Sequence, residues 1–302
     1  MELRHLRYFV AVAEELHFRK AAEKLHIVQP ALSKQISSLE AELGLRLLDR
    51  DRRHVTLTEA GRTFLDEAIA VLALADGAKA RAIAVSDGTV GHLNMGFIQP
   101  ALASIVPLAL RRYRTSYPDV RIRLAELTSR RALEQVASGD VHCAFTRLPV
   151  EPRPGILYEP VSTQSVIIAL PEEHPFASRE SIALAELADE DLILIDRRVE
   201  PQLHDYYVAL CNDAGFSPRV AQEVSSTWVS IGLVASGLGI GFVPSSARLA
   251  PQKGVAFVPI EGDPAQLTMG LIWAEGPQPA VLRNFLTLRP WEHSADSEDK
   301  EH

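Results

Sequence analysis

Two cysteines, Cys143 and Cys211, are too few for a disulfide framework, and they lack the close spacing of a zinc site. Long apolar runs are missing as well. The longest stretch without a charged residue, Val224–Ala247, carries four glycines, one proline and six serines. That makes it a poor membrane span and a better buried helix–turn–strand unit. Charges run through the first 25 positions, so no secretory signal is expected there, and the chain is expected to be cytoplasmic with no membrane partner. Net positive charge is absent too: the balance is -8, which gives no global basic field for nucleic acid. No P-loop, HExxH or GxSxG pattern occurs, and the ten histidines are scattered with none beside a plausible nucleophile. No catalytic residue, cofactor or metal site is therefore expected, and the chain is not expected to be an enzyme.

What is present is a chain of 302 residues, long enough for two or three domains, with an ordinary 47% apolar and 23% charged content. Its charge is uneven. Residues 1–62 carry 11 Lys+Arg against 9 Asp+Glu, whereas residues 91–302 carry 18 against 26. A mildly basic head precedes an acidic body.

The head reads as short helices. Leu6, Phe9, Val10, Ala13 and Leu16 recur at helical spacing, and a second helix covers Phe18–Leu25. A third runs from Gln29 to Leu43, with Pro30 in its first turn, Leu32, Ile36, Leu39 and Leu43 as its buried stripe, and Gly44 as a left-handed cap. Two short helices joined by a tight turn are the unit of helix-turn-helix proteins. With the stripe inward, Gln29, Ser33, Lys34 and Ser37 project outward, where they can meet base edges or phosphates. Arg46–Thr58 reads as a two-stranded wing, and Arg50, Arg52 and Arg53 cluster beside its turn, suited to phosphates or the minor groove. Periodicity alone does not separate this head from a solvated helical bundle with an ordinary polar face. Thr58 then caps a helix reaching to about Ser86, on which Leu65, Ala68, Leu72, Ala75 and Ala82 recur at three- and four-residue steps. Such a stripe suits a dimerising coiled coil or a helix lying on its own domain.

From Val90 onward short apolar runs alternate with helical stretches. Leu93–Ile98, Val120–Leu127, His142–Thr146, Val166–Leu170, Leu192–Ile195, Gly239–Val243 and Leu267–Trp273 read as strands, which predicts an α/β sheet fold in two pieces. Ligands of open α/β sheets bind beyond the C-terminal strand ends. That rule selects Gln99, Pro100 and Ala101 after the first strand, Thr128 as a helix cap after the second, and Arg147 after the third. Free N–H groups and hydroxyls at the first two places, with Arg147 as counter-charge, would hold a carboxylate. Helix capping by Thr128 and a structural ion pair of Arg147 are the plain alternatives.

The stretch Leu3-Arg4-His5-Leu6-Arg7-Tyr8-Phe9, the pair Ala21-Ala22, the run VQPALSKQISSLEAELGLRLLDRDRRHVTLTEAG and the later GLVASGLGIGFVPSS resemble the LysR-type transcriptional regulators. The resemblance spans the whole chain. It implies a winged helix-turn-helix at residues 1–58, a dimerising linker helix at 59–89, and a two-lobed α/β effector domain at 90–302 like that of periplasmic binding proteins. Lobe one would be residues 90–162 and 266–292, lobe two 163–265, and 293–302 an acidic tail. The implied partners are double-stranded promoter DNA, a small-molecule effector and further copies of the chain in a homodimer or homotetramer. Gln29, Pro30, Ser33, Lys34 and Gln35 match the recognition-helix motif, and Arg50, Arg52 and Arg53 match the basic wing. Val28 stands where a small hydroxyl residue is commoner, which removes a phosphate contact. Lys34 stands where arginine is usual, keeping the charge and losing the bidentate fork for guanine. Leu48 stands where phenylalanine is common. Effector contacts implied by the match are Gln99, Pro100, Thr128 and Thr146 from lobe one, with Leu203, His204 and Thr227 from lobe two. The N-terminal stretch is most similar to members that sense muconate and other acids of aromatic degradation, so an organic carboxylate is the expected effector class. Gln99 replaces a frequent serine there, which points to a different ligand.

Three other readings compete. Gly237, Gly239 and Gly241 suggest a nucleotide loop, yet that fingerprint needs a strand before and a helix after, and here the order is reversed. A redox-sensing regulator would use Cys143 and Cys211, which lie 68 residues apart in apolar segments and fit inert buried thiols better. A cytoplasmic small-molecule-binding protein, or a transport binding protein, fits the body and leaves the head unexplained.

Overall fold

The structure is a computed structural model and describes residues 1–50, 54–250, 252–262 and 265–292. The chain forms two compact units, Met1–Ala84 and Val85–His302.

In the first unit, α1 (Leu3–Glu15), α2 (Phe18–Lys24) and α3 (Gln29–Leu43) surround one core, followed by β1 (Leu48–Arg50), β2 (Val55–Leu57) and the long α4 (Glu59–Ser86). Leu6, Phe9 and Val12 of α1 meet Ala21 and Ala22 of α2 and Leu32, Ile36 and Leu39 of α3, all at most 3% exposed. The two alanines have no bulk to hold the three helices apart, and each buried aliphatic side chain contributes about 1.5–3 kcal/mol. Gly44 ends α3 at φ 71°. The antiparallel wing pairs Leu48 with Leu57 and Arg50 with Val55. Gly61 lets α4 approach the wing: a Cβ there would lie 2.0 Å from the Leu47 carbonyl oxygen.

Part of the α4 stripe packs on the head itself. Ala68 is buried in the head's own core, and Leu65 and Leu72 pack against it. Large apolar side chains left outside are instead Ile69, Val71, Leu74, Ile83 and Val85, each between 42% and 68% exposed.

The second unit holds two sheets sharing one strand. In the first lobe β3 (Gly91–Phe97) lies parallel to β4 (Val120–Glu126) and β5 (Cys143–Leu148), and β11 (Gln266–Ala274) runs antiparallel between β5 and β6 (Ile156–Pro171). Past Ser165 the same β6 changes partners. Val166–Pro171 pair antiparallel with β9 (Ile240–Pro244) and β10 (Val255–Pro259), while β7 (Asp191–Ile195) lies parallel to β9 and to β8 (Arg219–Val224). The lobes meet where the Val166 N–H donates to the Ala265 carbonyl, 2.6 Å away.

A short helix, α5 (Gln99–Leu102), follows β3, and longer helices cover both faces of the first sheet. Tyr113 of α6 (Val106–Ser116) and Phe285 of α10 (Ala280–Leu288) pack with Phe145 and Trp291 on one side, the Tyr113 hydroxyl donating to the Val281 carbonyl at 2.8 Å. Ala132, Leu133 and Val136 of α7 (Ser129–Ser138) pack on Ala144 and Ile272 on the other. The second lobe buries Ile167–Leu170 and Leu192–Ile195 against Tyr207 and Cys211 of α8 (Pro201–Asp213) and Ile231 and Val234 of α9 (Thr227–Val234).

Candidate functional site

In the head, α3 turns Gln29, Pro30, Lys34 and Ser37 to the exterior, with Ser33 half-buried beside them. Its N-cap is Val28, 69% exposed and without a side-chain cap, so no hydroxyl closes this helix end. Two expected contact residues are engaged within the head. Gln35 is half-buried and its Oε1 meets His5 Nε2 at 2.9 Å, tying α3 to α1. Arg50 is bound by Glu40 at 2.8 Å and lies over the Phe18 ring at 4.8 Å. Packing thus supplies Gln35 and Arg50, both expected DNA contacts, with a partner inside the head. Arg52 and Arg53 lie outside the described residues, as does the acidic tail 293–302.

In the second unit the parallel strands of both lobes end at one cleft of about 460 Å³. Ile98, Gln99 and Pro100 follow β3, Leu127 and Thr128 follow β4, and Arg147 stands near the end of β5. Opposite them, Val199, Glu200 and Leu203 follow β7, and Ser225, Ser226 and Thr227 follow β8. Each gap between strand and helix is short, so helix N-termini and capping hydroxyls converge there. Thr128 caps α7, accepting the Arg131 N–H at 3.3 Å, and Ser226 caps α9, accepting the Val229 N–H at 3.4 Å. Arg147, 12% exposed, faces Glu200 at 3.4 Å. Gln99, Pro100, Thr128, Arg147, Leu203 and Thr227 thus share one cavity.

Residues 3–62 match the family described as bacterial regulatory helix-turn-helix protein, lysR family, and residues 86–288 match the LysR substrate binding domain. The chain belongs to the LysR family. It is 40% identical over 249 residues to the HTH-type transcriptional regulator AlsR of Bacillus subtilis, covering 82% of each chain. The Hca operon transcriptional activator HcaR of Escherichia coli is 35% identical over 288 residues, covering 95% of this chain and 97% of HcaR. Full-length CbnR, solved in complex with its target DNA, superposes with a TM-score of 0.85 at 30% identity, covering 97% of this chain and 100% of CbnR. The protein is a DNA-binding LysR-type transcriptional regulator with an effector-binding domain.

Three expected effector residues of this LysR-type chain stand elsewhere. Ala101 is fully buried in the first-lobe core, and its N–H is spent on the Ile98 carbonyl at 2.9 Å. Thr146 is fully buried: neighbouring strand residues point to opposite faces, so Arg147 reaching the cleft turns Thr146 away from it. His204 fastens α8 to β7 through Nδ1, 2.8 Å from the Ile195 carbonyl, and does not line the cleft. Conversely, Glu126, Arg131, Glu200 and Ser226 line the cleft without having been selected from the sequence. Ser226 had a signal, a serine before a helical run, and Glu200 precedes Pro201, a first-turn proline.

Both cysteines are buried. Burial raises the Cys143 thiol far above its ordinary value and the Cys211 thiol to about 11. Among the described residues, no group of three or more His, Cys, Asp or Glu could hold a metal ion, and no helix is long and apolar enough to cross a membrane.

Proposed function

We propose that this regulator acts in the cytoplasm as an oligomer, a dimer of heads or a homotetramer, and that the inter-lobe cleft senses a small organic acid and serves binding rather than catalysis. Lys34, Ser33 and Gln29 on the exposed side of α3 are the candidate base or phosphate contacts, with Ser37 beside them and the wing arginines Arg52 and Arg53 for the backbone. The exposed Ile69, Val71, Leu74, Ile83 and Val85 of α4 supply the apolar area for self-association. One observation carries the effector reading: a buried guanidinium, Arg147, stands at the mouth of α7 among the hydroxyls of Thr128, Ser226 and Thr227 and the amide of Gln99. That is the donor set a carboxylate with a polar or aromatic body requires. The relation to HcaR, named as an operon activator, supports a role in transcriptional control of an operon.

Fluorescence anisotropy with the DNA upstream of the chain's own gene tests the head, at two salt concentrations and with unrelated DNA as competitor. Competitor-resistant binding that weakens with salt is expected. Adding benzoate, succinate or muconate to the same mixture tests the cleft: a carboxylate must shift the DNA affinity, and indifference to every acid rejects that effector class.

A further inference from the structure

The cation of the cleft is already answered from inside the protein. Glu200, between β7 and α8 of the second lobe, lays its carboxylate across to the first lobe. Its Oε1 accepts the Ser129 N–H at 2.9 Å, and its Oε2 lies 3.4 Å from Arg147 Nη1. Ser129 is the first residue of the ten-residue α7, so the same carboxylate also sits at the positive end of that helix. The side chains of Arg147 and Glu200 are only 12% and 16% exposed. An N–H group, a helix start and a guanidinium are what an incoming organic acid would need.

We propose that Glu200 is an internal stand-in for the effector: in the unliganded protein its carboxylate occupies the anion position made by Ser129 and Arg147, and the effector carboxylate binds by displacing it. This rests on the organic-acid reading of the cleft. Two further observations support the exchange. Ser129 Oγ is buried and has no hydrogen-bond partner among the described residues, and its hydroxyl can donate to a carboxylate. Glu200 uses only the backbone of Ser129, so a carboxylate that also takes the Ser129 hydroxyl satisfies a donor that Glu200 leaves unmet. On the other side of the ion pair lies a second cavity of about 550 Å³, which shares Arg147, Val199 and Glu200 with the cleft. The displaced side chain has room there, so the exchange needs no repacking of either core. Glu200 belongs to one lobe and its two partners to the other. Displacement therefore replaces a tethered bridge between the lobes with a diffusible one, and makes inter-lobe contact depend on effector concentration.

The test uses the full chain with Glu200→Ala, and acetate as the probe because it restores the deleted headgroup. Acetate should raise the melting temperature of the variant in a concentration-dependent way, while chloride at equal ionic strength should not, and the unaltered protein should respond to neither. Benzoate, titrated calorimetrically, should bind the variant about ten- to a hundred-fold tighter, the factor by which a competitor occupying 90–99% of the sites weakens apparent affinity. Should Glu200→Ala fail to fold, Glu200→Gln, which keeps an acceptor for Ser129 and loses the charge, should tighten benzoate binding in the same direction. No acetate response and no tightening overturns the proposal. Acetate stabilisation without benzoate or succinate binding to either protein supports the anion position and removes the organic-acid reading instead, so the two failures are distinct.

Discussion

Glu40 on α3 and Arg50 on β1 form an ion pair of 2.8 Å, and Glu40 Oε1 also accepts the Leu47 and Leu48 N–H groups at 3.0 and 3.1 Å. One carboxylate therefore fastens the wing to the helix that carries the outward polar residues. Replacing it leaves two backbone donors without an acceptor and takes the counter-charge from a half-buried guanidinium, which keeps only its bond to Ser37 Oγ at 3.4 Å. Glu40→Ala should cost about 2–4 kcal/mol of stability in urea unfolding. A loss below about 0.5 kcal/mol, the range of ordinary surface substitutions, would show that the bond carries no weight.

Lys34 and Thr128 lie in different units and should separate cleanly. Lys34→Ala should weaken operator binding by about 1–3 kcal/mol in anisotropy titrations and leave the melting temperature unchanged, because its side chain is exposed. Thr128→Ala removes the cap of α7, worth about 1 kcal/mol, and should preserve DNA affinity while blunting the shift produced by an effector acid. Complete unfolding of Thr128→Ala would mean that the residue serves only as a cap.

His142 links the second unit to pH. Burial holds its pKa below the usual 6.5, and its Nδ1 accepts the Asn94 N–H at 3.2 Å, which needs a neutral ring. The unfolded chain takes up a proton below 6.5 where the folded chain resists it, so stability falls as pH drops from 6.5 towards the lowered folded value. His142→Gln should flatten that part of the stability profile in denaturant unfolding at a series of pH values. An unchanged slope would place the acid sensitivity in other groups.

Both thiols should be inert in the folded protein. The native chain should leave a disulfide reagent such as DTNB unreacted and react after denaturation, and peroxide should not alter DNA binding. Rapid labelling of Cys211 in native buffer would reopen a redox role.

Most buried apolar runs are readable, whereas β8 and the outer part of β6 are not. Leu32, Ile36 and Leu39 define α3 to its end, and the buried runs of β5, β7 and β9 stand out as strands. β8, with five of its six residues exposed, and the first ten residues of β6 carry polar side chains between partly covered ones, so no apolar run marks them. In the cleft, the rule that ligands bind beyond strand ends found Gln99, Thr128 and Arg147, because it needs only local order. Glu200 escaped it: its meaning comes from Arg147 and Ser129, 53 and 71 residues away. The partners of Gln35 and Arg50 are hidden in the sequence for the same reason, since His5 and Glu40 meet them only on packing. On α4, Leu65, Ala68 and Leu72 could not reveal from spacing alone which neighbour they would meet.

β6 crosses between the lobes, and the chain returns beside it at Ala265, whose carbonyl accepts the Val166 N–H, just before β11 begins. The chain thus enters and leaves the second lobe through a single doorway. The described residues between 166 and 265 form a cassette spliced into the first lobe, with both ends within hydrogen-bonding distance of each other. Such a cassette can be exchanged for that of a relative with one pair of junctions and no new linker, so the specificity of its half of the cleft is modular while the other half stays with the lobe that carries Arg147.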